Sequence, residues 1–153
     1  GLNLVVSVEY EENANKSDGI VTAQNVNANK VIKEGETVTI TVNKQPKRAK
    51  VTINVNLKSL TGYTEPKPET QPGVDEYGNA IQTTVTPEIE KATVTIEVGD
   101  DTILNSSYPM TKTDISQEWT SSGVKNVKVK INGVTRYTNT VDFSKGDQVL
   151  PVS

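Results

Sequence analysis

The sequence reads Thr-Val-Thr-Ile-Thr-Val at residues 37–42. Apolar and polar residues alternate strictly in this stretch, which is the period of a β-strand with one buried face. β-branched residues lose side-chain freedom in helices and pack well on pleated sheets, so the sequence predicts an all-β fold with almost no helix. Similar alternation recurs at residues 2–10, 51–57, 94–98 and 127–131.

The composition limits the size of any core. The chain has 153 residues, of which 33% are hydrophobic, below the share of an ordinary globular domain. Small β-modules in a row fit this composition better than one large enzyme core. The length suits one or two domains.

Several classes of function are disfavoured by the residue types. The net charge is −3 with both signs mixed, so we expect no nucleic-acid partner. The chain has no Cys and no His, which removes the disulfide, the thiolate metal site and the commonest general base. A Ser-Lys pair is the one nucleophilic arrangement left, and Ser59 and Ser121 lie in predicted loops. We therefore predict that this fragment is not an enzyme and holds no cofactor and no metal.

The start of the chain resembles the interior of a longer protein. No apolar stretch reaches membrane-spanning length. The first residues read Gly-Leu-Asn-Leu and do not have the pattern of a signal peptide. We expect the chain to be a fragment.

The pattern predicts two domains. Residues 1–45 hold three extended segments, and Pro and basic residues at 46–50 form a linker. Residues 51–153 contain about seven predicted strands, which indicates an immunoglobulin-like β-sandwich. Within it, residues 61–80 are rich in Pro and Gly and predict a long loop.

One hairpin is predicted in detail. Asn132-Gly133 is a strong hairpin signal between two alternating strands. A three-residue loop at 131–133, with Gly133 in the left-handed conformation, places the large apolar residues on one face. It predicts the cross-strand pairs Val127–Tyr137 and Val129–Thr135.

The first domain resembles the second half of a PASTA repeat. That repeat reads roughly as a helix ending in Gly-Leu-x-Val, a strand, Gly-x-Val, Gln-x-Pro, Gly-x-x-Val-x-x-Gly and an alternating final strand. The spacing from Gln24 to Val42 fits without gaps. The matching positions are residues 1–4, 18–21, Gln24, Val31 and residues 34–42.

This resemblance has departures. Val26 stands where the family usually has Pro, and Asn29 stands where it usually has Gly. Asn tolerates positive φ better than other non-Gly residues, so we expect the turn at Asn29 to persist. The first strand and the helix of the repeat are absent. The sheet thus lacks the element that normally packs on it, and pairing with a neighbouring chain is an expectation.

PASTA repeats occur in bacterial transmembrane Ser/Thr kinases and in some penicillin-binding proteins. In Gram-positive kinases of this type an immunoglobulin-like domain often follows the last repeat, and residues 127–133 and 141–143 look like its ending. The resemblance implies a sensor or spacer module on the extracellular face of the plasma membrane. It implies peptidoglycan fragments or precursors as partners, a membrane anchor upstream and a cytoplasmic kinase domain outside this chain.

Candidate site residues are few. Tyr63 and Tyr77 lie in the predicted Pro-rich loop, where exposed rings can stack on sugars. Asp75-Glu76 and Asp100-Asp101 lack the staggered spacing of a calcium loop, so we interpret them as turn acids.

Two alternatives stay open. One is a structural domain of a Gram-positive adhesin or pilin, many of which carry Lys–Asn isopeptide bonds beside a buried acid. The other is the PASTA-bearing tail of a penicillin-binding protein.

Overall fold

The computed structural model describes residues 3–153 and is mostly β, which confirms the predicted fold class. By its internal contacts the chain divides into an N-terminal unit, residues 1–47, and a second unit, residues 48–153. The helical elements are α1 (Leu57–Thr61) and a 3-10 helix (Phe143–Lys145). The strands are β1 (Val5–Glu11), β2 (Val21–Gln24), β3 (Thr37–Asn43), β4 (Arg48–Val55), β5 (Glu69–Val74), β6 (Ala80–Val85), β7 (Lys91–Val98), β8 (Asp101–Pro109), β9 (Ile115–Ser122), β10 (Val124–Ile131), β11 (Val134–Asp142) and β12 (Gln148–Val152).

The N-terminal unit is a three-stranded sheet with β3 in the centre. β1 runs parallel to β3, and β2 runs antiparallel to it. The three strands are those that the sequence predicts, although Leu2, where the first alternation begins, lies outside the described residues. Asn29 has φ 65°, so its predicted left-handed turn is confirmed.

Asn43 organises this unit. It is the one buried residue between residues 3 and 47, at 1% exposure. Its Nδ2 lies 2.8–3.0 Å from the carbonyl oxygens of Asn13, Lys16 and Ser17, and its Oδ1 accepts the Asn13 N–H at 2.9 Å. The hydrogen bonds of this one side-chain amide therefore hold the loop after β1 in place. In a larger domain, buried apolar side chains would hold such a loop.

The second unit is a β-sandwich. One sheet has the order β11-β10-β7-β8 and the other has the order β12-β4-β9. Alternate residues of the central strands point inward and form a single apolar core. Its largest fully buried side chain is that of Phe143. The inward residues of the central strands are Val51, Ile53 and Val55 of β4, Val94, Ile96 and Val98 of β7, and Val127, Val129 and Ile131 of β10.

The sandwich has seven strands, as many as the sequence predicts. β6 joins neither sheet, and β12 is the seventh strand, paired in parallel with β4. The two-sheet architecture is immunoglobulin-like, but its strand order differs from that of antibody domains. In those domains the four-stranded sheet contains the first, second, fourth and fifth strands. Here the four-stranded sheet contains the second, third, fifth and sixth strands of the sandwich, which are β7, β8, β10 and β11.

The hairpin between β10 and β11 has a different turn from the predicted one. Asn132 and Gly133 have φ 50° and 80°, and Ile131 pairs with Val134. Two central residues with positive φ are typical of a two-residue type I′ turn, which matches the twist of the strands. The predicted three-residue loop at 131–133 is therefore wrong.

A bulge in β11 restores the common apolar face. Lys130 pairs with Thr135, but Val129 pairs with Tyr137, so Arg136 is the extra residue. Tyr137 and Val141 thereby reach the core side. The predicted pairs Val127–Tyr137 and Val129–Thr135 are wrong, and the observed partners of Val127 and Val129 are Asn139 and Tyr137.

Asn132 also fastens this turn to β7. Its N–H donates to Thr93 O at 2.9 Å, and its Oδ1 accepts the Thr93 N–H at 2.8 Å. We expect Asn132→Ala to lower the free energy of unfolding by about 2 kcal/mol, since it removes the acceptor and forces alanine into positive φ.

Asn132→Gly is the matched variant, because glycine accepts positive φ and loses only the side-chain bond. Its expected loss is about 1 kcal/mol. Denaturant unfolding followed by Trp119 fluorescence measures both variants. Equal losses would contradict a role for backbone conformation.

The region predicted as a long loop contains regular structure. Asn56 caps the N-terminus of α1 by accepting the Ser59 N–H, and Gly62 ends the helix with φ 66°. β5 and β6 then form a separate two-stranded hairpin. Pro72 lies inside β5, which is why the sequence pattern did not indicate a strand there.

Candidate functional site

One face of the N-terminal sheet is apolar and uncovered. The parallel register places alternate residues of β1 and β3 on the same side. β1 contributes side chains that are 45–68% exposed, while those of β3 are half-buried. We call this surface the apolar sheet face, and its residues are Val6, Val8, Tyr10, Val21, Val38, Ile40 and Val42.

Tyr10 and Lys44 lie at one end of the apolar sheet face. The Lys44 Nζ lies 5.6 Å from the centroid of the Tyr10 ring, within the range of a cation–π contact. The Lys44 N–H donates to Glu11 O at 2.8 Å, which continues the β1–β3 ladder and fixes the start of the lysine side chain. Tyr10 is 68% exposed, so its ring remains accessible.

This arrangement favours two kinds of contact. A contiguous apolar surface without a charged side chain packs well against another apolar polypeptide surface. An exposed aromatic ring beside an ammonium group can stack on the C–H face of a sugar while the cation pairs with a carboxylate. Sequence reasoning missed Tyr10, although the alternation of Val6 and Val8 leads directly to it.

The two predicted ligand residues lie in different elements. Tyr63 follows α1, is half-buried, and has a buried hydroxyl without a hydrogen-bond partner among the described residues. Tyr77 lies at the tip of the β5–β6 hairpin and is 82% exposed. Contact of either ring with a sugar stays a prediction.

The acidic pairs lie at or beside turns, and no group of three potential metal-ligating side chains converges within residues 3–153. Asp101 begins β8 directly after the β7–β8 turn. The Asp75 carboxylate accepts the N–H groups of Tyr77 and Asn79 and the Asn79 side-chain amide, at 2.8–2.9 Å. These bonds, above all those from Asn79, lower the pKa of Asp75.

The lowered pKa makes the β5–β6 turn sensitive to acid. A carboxyl whose folded pKa lies below its ordinary value of 3.8 stabilises the turn fully above that value. The stabilisation is lost as the pH falls through the folded pKa, so we expect the turn to loosen under strong acid. NMR titration of the amides of residues 75–79 measures this change. Asp75→Asn, which does not titrate, should remove the pH dependence, and its persistence would contradict the assignment to Asp75.

No helix in the described part of the chain has the length and apolar character needed to cross a membrane.

Comparison with protein families identifies the N-terminal unit. The PASTA domain model matches residues 1–44. The chain carries a PASTA domain at its N-terminus, which confirms the resemblance seen in residues 1–42. Comparison with curated protein sequences gives no match.

One solved structure is similar to the chain, the entire extracellular region of the Ser/Thr kinase PrkC from Staphylococcus aureus. The sequence identity is 19% and the TM-score is 0.28. The similarity covers 93% of this chain and 44% of that structure, so the chain spans less than half the length of the region it resembles.

Proposed function

We propose that the chain is an extracellular sensor or spacer module of a bacterial membrane Ser/Thr kinase, and that it contacts peptidoglycan fragments. The PASTA match over residues 1–44 carries this proposal. The kinase domain and the membrane anchor then belong to other parts of the full-length protein. The module lies at the outer face of the plasma membrane, where wall fragments are released.

The N-terminal unit offers a contact that suits such fragments. Their amino-sugar rings present C–H faces, and their stem peptides carry carboxylates. The exposed ring of Tyr10 and the ammonium of Lys44 provide a stacking surface and a cation at one end of the sheet. This contact supports binding by the first unit, with the sandwich as the spacer.

The rest of the apolar sheet face supports chain-to-chain pairing. The six positions other than Tyr10 carry no charge, so two copies can pack face to face without like-charge repulsion. Val8→Lys, in the middle of β1, should abolish such pairing, and sedimentation at rising concentration measures it. A wild-type chain that stays monomeric at high concentration contradicts chain-to-chain pairing. That result does not affect the proposal that the chain binds muropeptides.

Titration with purified muropeptides tests ligand binding. We expect saturable amide shifts near Tyr10 and Lys44, and a loss of about tenfold in affinity for Tyr10→Ala, which removes the stacking surface. Val31→Ala is the control, because Val31 is 93% exposed in the same unit but is not part of the apolar sheet face. An equal loss in both variants contradicts a site at Tyr10. The absence of any shift at millimolar ligand contradicts binding by this chain.

The adhesin or pilin alternative makes a different prediction. An intramolecular Lys–Asn bond needs a buried lysine and a buried acid, whereas the side chains buried in the described sandwich are all apolar. Intact-mass measurement tests this directly, since each such bond releases one ammonia. The tail of a penicillin-binding protein is distinguished by the domain encoded upstream.

A further inference from the structure

The β5–β6 hairpin is an arm that lies apart from both sheets of the sandwich. Among residues 3–153 its strands pair only with each other. The hydrogen bonds of residues 75–79 in its turn are internal to the arm. A two-stranded hairpin alone is marginally stable in water, so a third strand at a free edge would stabilise it.

The arm is exposed along its whole length. Between residues 64 and 90, all residues except Gly73, Asp75 and Pro87 are exposed. Ile81 and Val85 of β6 lie on one face and remain 42% and 43% exposed. Prolines flank both strands, and such segments favour extended conformations that act as semi-rigid spacers.

The two edges of the arm are not equivalent. Alternate pairs in an antiparallel ladder exchange hydrogen bonds, and the Asp75 N–H donates to Asn79 O. The pairs Gly73–Ile81 and Gln71–Thr83 lie two and four positions further along, so they are also hydrogen-bonded pairs. The backbone groups of the intervening pairs, Val74–Ala80, Pro72–Gln82 and Thr70–Thr84, therefore point outward.

Proline makes the edge of β5 a poor template for a further strand. Pro72 has no N–H at an outward position, so the row of donors on β5 is interrupted. Ala80, Gln82 and Thr84 give β6 an uninterrupted outward row of donors and acceptors. An incoming strand is better accommodated at the outer edge of β6.

The charge of the arm selects the partner. Residues 64–90 carry six acidic side chains against one lysine, a net charge of −5, while the whole chain carries −3. Two arms would repel each other, and anionic wall polymers would be repelled as well. A basic polypeptide is the partner whose charge complements this surface.

We propose that the outer edge of β6 binds a basic, extended polypeptide segment by strand addition. Main-chain hydrogen bonds from Ala80, Gln82 and Thr84 supply the pairing, and apolar side chains of the partner pack on Ile81 and Val85. The acidic side chains attract the partner's lysines or arginines. This surface belongs to the second unit, whereas the proposed wall contact at Tyr10 belongs to the first.

A synthetic seven-residue peptide that alternates Lys and Val is the probe. Titrated into the full chain at low salt, it should shift the amides of residues 80–85 saturably. Gln82→Pro removes an outward donor without breaking a ladder bond and should weaken binding about tenfold or more. Thr70→Pro makes the same change on the opposite edge and should leave binding unchanged.

Charge is tested on the same system. A peptide that alternates Glu and Val should not bind. The triple variant Glu69→Gln, Glu76→Gln and Glu88→Gln should lower the affinity for the Lys–Val peptide about tenfold and reduce the salt dependence of its binding. Equal effects of the two proline variants overturn pairing at β6. Binding of the acidic peptide, or absence of binding by the basic one, overturns the choice of partner. If the amide shifts of residues 80–85 depend on protein concentration without any peptide, the partner is a second copy of the chain, and the proposal of a basic polypeptide is overturned.

Discussion

Asn43→Asp should loosen the N-terminal unit at neutral pH. The substitution keeps the oxygen that accepts the Asn13 N–H, but it replaces the donor Nδ2 with an oxygen that faces three carbonyl groups. The lost hydrogen bonds and the buried charge should lower the opening free energy of this unit by about 3 kcal/mol or more. Residues 3–47 bury no apolar side chain that could compensate.

The loss should depend on pH in a defined direction. The carbonyl oxygens disfavour the charged form, so the new carboxyl should have a raised pKa in the folded state. The destabilisation is therefore smallest below the ordinary aspartate pKa, where only the lost amide hydrogen bonds contribute, and it grows as the pH rises towards the folded pKa. Amide hydrogen exchange of β1 and β3 at two pH values measures this.

Asn25→Asp is the matched control for this prediction. The Asn25 side-chain oxygen accepts the Thr39 N–H at 2.9 Å, and aspartate retains that acceptor. We expect almost no change in hydrogen exchange for this variant. Similar losses in both variants would show that the amide donor of Asn43 has no special role.

Phe143→Ala should produce the largest loss of stability in the sandwich. Phe143 is 1% exposed and is the largest fully buried side chain, so alanine leaves a cavity in the core. The expected loss is about 3–5 kcal/mol, which corresponds to a decrease of about 15 °C or more in Tm. Trp119, the only tryptophan, packs against this core, and its fluorescence reports unfolding of the sandwich.

Val124→Ala provides the control, because Val124 is 62% exposed on β10. A surface change of this kind should alter the free energy of unfolding by less than about 0.5 kcal/mol. A loss below about 1 kcal/mol for Phe143→Ala would contradict the central position of this ring.

The alternation of apolar and polar residues correctly predicts the strands with one buried face, such as β4, β7 and β10. Val51, Ile53 and Val55 show why: period-two spacing places all three inward, whatever the neighbouring strand is. The hairpin at Asn132 shows the limit of the same reasoning. The common apolar face that the sequence predicts is present, but one extra residue produces it equally well in the turn or in the strand. The structure uses Arg136 in the strand.

Other features depend on contacts that a local pattern does not contain. The role of Asn43 arises because loop carbonyls from residues 13–17 converge on its amide, 26–30 positions away in the sequence. β5 lies within the predicted loop at 61–80, because Pro72, Gly73 and Gly78 hide the strand signal there. The cap signals of α1, Asn56 and Gly62, were present in the sequence and would have predicted the helix.

The parallel pairing of β4 with β12 has a mechanical consequence. These strands lie next to each other in register, with Val51 opposite Gln148 and Val55 opposite Val152. Tension applied through the residue before Arg48 and the residue after Val152 pulls the two strands in opposite directions along their length. All hydrogen bonds of this ladder are then loaded together in shear, rather than opened one after another from an end. A pulling force along this line therefore meets more resistance than one that peels the strands apart from an end.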